Sequence, residues 1–239
     1  MPILMYSHLD PILLSKLNSN IPGPEGFHTS QPGKTTFSNS LAEKINGMAQ
    51  LQYGFAIACV IGMDGFHLSR KVLDSFPVSA EAHRRRGAPF TFDVKGLYQL
   101  VERLKEPVSS IFYAPSFDHA VKDPQCDDIA ILPSQKLVIF EGNYLCFQPP
   151  DIPENVPEWS TLPSPLWSKI ANLFDERWVL STPLEVTTPR LALRHLEAGI
   201  VKSLNEGYER AHGSDKQNAE DIIRWRVGFD RMIPTLSLS

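Results

Sequence analysis

The sequence predicts an α/β fold, a parallel sheet flanked by helices with a small lid, in which residues 1–239 form one domain. Three observations predict it. Phe55–Met63 (FAIACVIGM) and Leu137–Phe140 (LVIF) are unbroken apolar runs, as in strands buried on both faces. Each run stops at an acidic residue, Asp64 and Glu141. Segments with helical apolar spacing lie between the strand-like runs, and parallel strands need such crossovers.

The first strand is the hardest element to place. Ile21–His28 (IPGPEGFH) carries two prolines and two glycines, and proline removes ladder donors, so it makes a poor central strand. Met1–Tyr6 or Pro11–Leu14 serve instead, at the cost of a longer connection, which makes residues 1–30 an atypical N-terminal segment. Lys34–Asn46 reads as a helix, with Phe37, Leu41 and Ile45 on one face. Asp93–Lys105 repeats apolar residues at Val94, Leu97, Leu100, Val101 and Leu104, again helical. Val108–Tyr113 reads as a strand. The prolines of residues 148–165 mark a long loop. Trp167–Phe174 reads as a helix and Arg177–Leu180 as a strand. Pro189 suits the first turn of a last helix ending near Gly199, and residues 187–199 are the expected lid.

Composition excludes several function classes. A formal net charge of −4 argues against a general nucleic-acid binder. No apolar run approaches the roughly 18 residues of a membrane span, and Met1–Tyr6 lacks a basic start and a cleavage site, so no leader is expected. Three scattered cysteines, Cys59, Cys126 and Cys146, fit a reducing, cytoplasmic setting better than a disulfide framework or a zinc site.

The chemistry-bearing pattern is Gly33-Lys34-Thr35-Thr36 at a helix start. A helix N-terminus attracts anions through its open N–H groups and dipole, and a lysine adds a point charge, so the pattern suits phosphate. The threonine hydroxyl suits Mg²⁺. The full pattern has glycine five residues before Gly33, where this chain has His28. Asp64, in Met63-Asp64-Gly65-Phe66-His67, and Glu141, in Phe140-Glu141-Gly142-Asn143-Tyr144, both end core strands at one sheet edge. There a carboxylate can hold a metal or take a proton from a hydroxyl, and an Asp-Gly turn or an ordinary strand end explains the same residues without function. His83-Arg84-Arg85-Arg86 is the densest positive run. It reads either as an anion grip or as a solvated face. Arg190 and Arg194 lie four apart on the lid helix, beside His195.

Taken in order, Gly-Lys-Thr, MDGFH, RRGAP with Thr91-Phe92-Asp93, FDHA with Asp123-Pro124, EGNYL and the late arginine-bearing helix resemble the phosphoribulokinase/uridine kinase family of P-loop kinases, in its uridine kinase-like and pantothenate kinase-like branch. The similarity runs from about Gln31 to Ile233. The resemblance implies a P-loop NTPase-type sheet, ATP and Mg²⁺ as cofactors, and a small-molecule acceptor. It implies that Gly33, Lys34, Thr35 and Thr36 form the phosphate loop. Thr35, Asp64 and Glu141 form the magnesium environment, with Asp64 also the base. His67, Arg86, Phe92, Asp93, Phe117 and His119 line the acceptor site, and Arg190 and Arg194 close over the phosphates. Asp215 and Asn218 fall in the segment similar to the family's base-side Asn-Asp-x-x-Asn-Gly loop, here Ser214-Asp215-Lys216-Gln217-Asn218-Ala219. The expected activity is transfer of the ATP γ-phosphate to a hydroxyl of a nucleoside- or pantothenate-like metabolite. The alternative is a nucleotide-binding chain of the same fold that has lost turnover. The abrupt start of the similarity at Gln31 is what a displaced exon boundary produces. Sequencing the transcript across residues 20–35 tests this, and recovery of only the present sequence rejects it.

Overall fold

The computed structural model describes residues 2–7, 33–149, 165–182 and 184–234. His28, Gln31, Ile21–His28, Pro11–Leu14 and most of the proline-dense loop lie outside them. Strand β1 (Pro2–Ser7) comes first, from the N-terminal run named above. Helix α1 (Lys34–Tyr53) buries Phe37, Leu41, Ile45 and Ala49 on one face. It runs past Asn46 because Gly47 is tolerated, and it stops at Gly54, whose left-handed φ of 79° ends the ladder. Strand β2 (Ala58–Gly62) passes directly into a 3₁₀ turn, Met63–Phe66. Two short helices follow, α2 (Arg70–Asp74) and α3 (Ser79–Arg84), then a second 3₁₀ turn, Pro89–Thr91. Helix α4 (Val94–Arg103) starts where the Asp93 carboxylate accepts the Gly96 N–H at 2.9 Å.

Strands β3 (Phe112–Asp118) and β4 (Asp123–Ile131) form a separate antiparallel ribbon. The strand expected at Val108–Tyr113 therefore starts later and stays out of the main sheet. Phe112, Ala114 and Ile131 anchor the ribbon in the core, while Tyr113 alternates outward. Strand β5 (Leu137–Glu141), helix α5 (Leu166–Leu173) and strand β6 (Glu176–Ser181) lie where expected. Helix α6 (Leu184–Glu197) begins before Pro189, so that proline sits inside the helix rather than at its start. Helix α7 (Leu204–Arg210), a kink at Gly213 within Ala211–Asp215, helix α8 (Lys216–Arg224) and strand β7 (Arg231–Pro234) complete the chain.

The main sheet has the order β2-β5-β1-β6-β7. β2 is parallel to β5, with Gly62 opposite Glu141, and β6 is parallel to β7. β1 runs antiparallel to both of its neighbours, with Ile3 opposite Glu141 and Ser7 opposite Leu137. Four strands thus share one direction, and the central one opposes them. The chain leaves β1 at the edge opposite Glu141, and α1 begins on the Glu141 side. A central strand feeding α1 directly needs an apolar run just before Gly33, and the sequence there is Pro- and Gly-rich.

Helices cover both faces. Phe37, Leu41 and Ile45 of α1 pack with Ile139, Trp178 and Leu180 on one side. Leu97 and Val101 of α4 and Trp167 of α5 pack with Phe92, Phe140 and Tyr144 on the other. Burial pushes the Cys59 and Cys146 thiols up to about 12, as apolar core residues. Among the described residues, no helix is long and apolar enough to cross a membrane.

Candidate active site

The site forms where α1 meets the ends of β2 and β5. Gly33 takes the N-cap position in extended conformation and has no side chain to cap with, and the first turn carries no acid. Lys34 reaches across to β5 and donates to Asn143 Oδ1 at 2.9 Å. The Thr35 hydroxyl donates to Glu141 Oε1 at 2.7 Å. The parallel register that sets Gly62 opposite Glu141 puts Asp64, two residues on, at the same edge. Glu141 is 7% exposed, whereas the Asp64 side chain is 53% exposed and faces outward to where a ligand would arrive.

Burial dominates the electrostatics. It pulls the Lys34 ammonium below its ordinary 10.5, against the opposing fields of Glu141 and Asp64. It pushes the Glu141 carboxyl above 4.5, against Lys34 and the Thr35 hydrogen bond. Each partner is desolvated by more than the other repays, so the pair burdens the empty fold. The signs set a pH profile. Glu141 binds its proton more tightly in the fold, so stability falls as pH rises from 4.5 through its raised value. Lys34 binds its proton less tightly, so stability recovers as pH rises through its lowered value toward 10.5. The double variant Lys34→Met/Glu141→Gln is expected to melt at or above the wild-type temperature and to lose both pH trends, as thermal denaturation across pH will read.

Beside Asp64 lies a row of rings. The His67 ring lies 4.1 Å from Phe92 and 5.1 Å from Phe117, and His119 lies 5.2 Å from Phe117, by centroids. His67 Nδ1 donates to the Asp64 carbonyl at 2.9 Å, leaving Nε2 as an acceptor, and burial lowers its pKa, so the ring is neutral at pH 7. Phe92 is 5% exposed and bridges His67 to the core. Arg86 lies over the Phe117 ring. It donates to the Leu68 and Lys122 carbonyls and to Asp123 Oδ1 at 2.6 Å, so it braces this wall. Asp93 is occupied as the α4 cap. The turn bearing Asp64 presses on β3: a Cβ on Gly65 would overlap the Pro115 carbonyl oxygen and lie 2.7 Å from its carbon. Gly65→Ala is therefore expected to displace Asp64 and cost about 1–3 kcal/mol of stability, read by denaturant titration.

The remaining expected residues have definite neighbours. Thr36 is exposed on the first turn of α1. Arg190 is half-buried on α6. Arg194, one turn further, is exposed, and its charge acts on both Lys34 and Glu141. Asp215 Oδ2 lies 2.7 Å from His195 Nε2, and Asn218 accepts from Arg85 at 3.2 Å, so these two pair with α6 and with the arginine run. Within that run exposed Arg84 pairs with Glu81 and Arg85 is buried. Asn143 was legible in the sequence only as a polar residue two places after the strand-end Glu141. Nothing local marks it as the partner of Lys34.

Glu141, Asp64 and the Thr35 hydroxyl are hard oxygen donors of the kind Mg²⁺ takes alongside phosphate oxygens. Among the described residues no group of three His, Cys, Asp or Glu could hold a metal by itself.

Comparison with known proteins agrees with this geometry. No protein-family model matches the chain. The ATP-dependent kinase-like protein notR' of Aspergillus versicolor is 41% identical over 175 residues, spanning 72% of this chain and 93% of that protein. The Schizosaccharomyces pombe protein C227.14, named for uridine kinase, is 35% identical over 206 residues, 86% of this chain and 80% of that one. A Silicibacter sp. TM1040 structure named for a fructose transport system kinase superposes with a TM-score of 0.67 at 27% identity, covering 92% of this chain and 98% of that one. With a lysine–threonine pair opening a helix against a strand-end carboxylate, and relatives of this similarity over most of their length, the chain belongs to the uridine kinase-like family of P-loop kinases.

Proposed function

We propose that the protein transfers the γ-phosphate of ATP to a hydroxyl of a small metabolite, of nucleoside-like or pantothenate-like kind. The observation that carries this reading is the convergence of Lys34–Asn143 and Thr35–Glu141 with Asp64 at one sheet edge. Gly33 to Thr36 receive the phosphates at the start of α1, and Lys34 offsets their charge. Thr35, Asp64 and Glu141 would hold Mg²⁺, which supplies further positive charge to the phosphate oxygens when bound. Asp64, exposed beside the row of rings, accepts the hydrogen bond of the attacking hydroxyl and takes its proton. Arg194, with Arg190 behind it, adds charge over the transferring group. His67, Phe117 and His119 flank the acceptor, held by Arg86, Phe92 and Asp93.

One observation favours a second reading, a chain that binds nucleotide without turnover. β1 opposes both of its neighbours, so its end at Ser7, paired with Leu137, lies at the other edge of the sheet from the start of α1 beside Glu141. Incubation with Mg-ATP and a panel of nucleosides, pantothenate and sugar phosphates separates the two. ADP formed with one acceptor class supports the kinase. Saturable Mg-ATP binding with no ADP across the panel supports the second reading.

A further inference from the structure

We propose that His195 and Asp215 are positioning residues: their half-buried contact fixes the lid helix so that Arg194 stands over the phosphate site. The inference rests on the phosphate-site reading above. His195 is the residue after Arg194 on α6, and it points the other way, 7% exposed, with Nε2 2.7 Å from Asp215 Oδ2. The Arg210 guanidinium approaches the same carboxylate oxygen at 4.0 Å. Asp215 reaches His195 because the chain kinks at Gly213 between α7 and α8. α7 itself lies close on α6: a Cβ on Gly207 would come within 2.6 Å of the Ala192 carbonyl oxygen. At the end of α6 the Lys122 ammonium donates to the Gly199 carbonyl at 3.1 Å. The C-terminal half of the lid helix is therefore held from two sides.

The same segment reaches the acceptor wall. Asn218, one turn after Asp215, accepts from buried Arg85. The next residue, Arg86, ties Leu68 and Asp123 beside the His67 turn. Lys122 precedes Asp123, so both holds on α6 lead to the wall that faces Asp64. Arg194 is exposed and finds no such anchor among the described residues, yet its charge acts on both Lys34 and Glu141. A long cation that must meet a phosphate gains from a backbone fixed by its neighbour, because less freedom is lost on binding. A buried, hydrogen-bonded histidine one residue away supplies that fixation.

A double-mutant cycle on the full chain tests this, with the Mg-ATP dissociation constant read by calorimetry and the exchange of α6 amides read by hydrogen–deuterium exchange. Arg194→Ala and Asp215→Ala are each expected to weaken Mg-ATP by about tenfold, and the double variant by little more than either alone. Asp215→Asn keeps an acceptor oxygen for His195 and is expected to recover most of the loss at an unchanged melting temperature. In the wild type, Mg-ATP slows exchange across residues 184–197, and in Asp215→Ala it does not. Additive losses, or an Asn variant as weak as the Ala variant, overturn the coupling and leave the phosphate site standing. A folded wild type that takes no Mg-ATP overturns the phosphate-site reading and the coupling together.

Discussion

Lys34→Ala is expected to lower the rate of Mg-ATP consumption by roughly 10²-fold or more, because a preorganised charge facing developing negative charge carries several kcal/mol in a dry site. Lys34 is held for that task at a cost to the fold. Its ammonium is desolvated, its pKa is depressed, and its partner Asn143 is neutral. Removing it leaves Glu141 buried with Thr35 and with only the weaker field of Arg194 opposing burial, which drives the carboxyl still further toward its neutral form. A neutral Glu141 is a poor magnesium ligand, so the loss reaches beyond one contact. Lys34→Arg keeps the charge, but the guanidinium fork does not fit the single Asn143 oxygen and is expected to recover little. Coupled ADP-release assays at saturating acceptor will read both variants. A Lys34→Ala protein with wild-type turnover contradicts the assignment.

Trp167→Ala is expected to destabilise the protein by about 3–5 kcal/mol, the range for removing a fully buried large aromatic. Trp167 is 0% exposed and meets three rings: Tyr144 at 5.7 Å, Phe92 at 6.2 Å and Phe147 at 6.5 Å. Neighbours so placed cannot collapse into the space without leaving their own contacts. The effect reaches the site, because Phe92 is the ring on which His67 rests. Trp167→Phe separates size from polarity. It keeps most of the volume and removes a buried indole N–H that finds no acceptor among the described residues, so its cost is expected to stay below about 1.5 kcal/mol. Denaturant titration of the two variants beside the wild type measures both.

The sequence carried the parts of this architecture that rest on local pattern. LVIF forms the buried strand its pattern predicts, whereas FAIACVIGM forms one only over Ala58–Gly62, because Phe55 stays 46% exposed and Met63 enters the 3₁₀ turn; the parallel pairing of the two sends Asp64 and Glu141 to one edge. The α4 repeat is equally local, whereas the capping role of Asp93, expected among the acceptor-site residues, was not read from the sequence. The direction of β1 was not legible, because a short apolar run pairs either way and only the entry to α1 decides between them. Pro189 suggested a helix start by its fixed φ, but the structure carries the helix through it from Leu184. Partners distant in sequence were beyond reach for the same reason. Lys34 finds Asn143 across 109 positions, and Arg85 finds Asn218 across 133. An arginine run shows its charge in the sequence and hides its acceptors, so Arg86 looked free to hold an anion where the fold uses it to brace a wall.

The account depends most on the start of α1 receiving a nucleotide's phosphates. Titrating Mg-ATP into the folded wild-type chain and into Lys34→Ala, in one calorimeter and one buffer, tests that most directly. The account predicts saturable one-to-one binding to the wild type that is lost in the variant. No heat with folded wild type, or equal affinity in both, contradicts it.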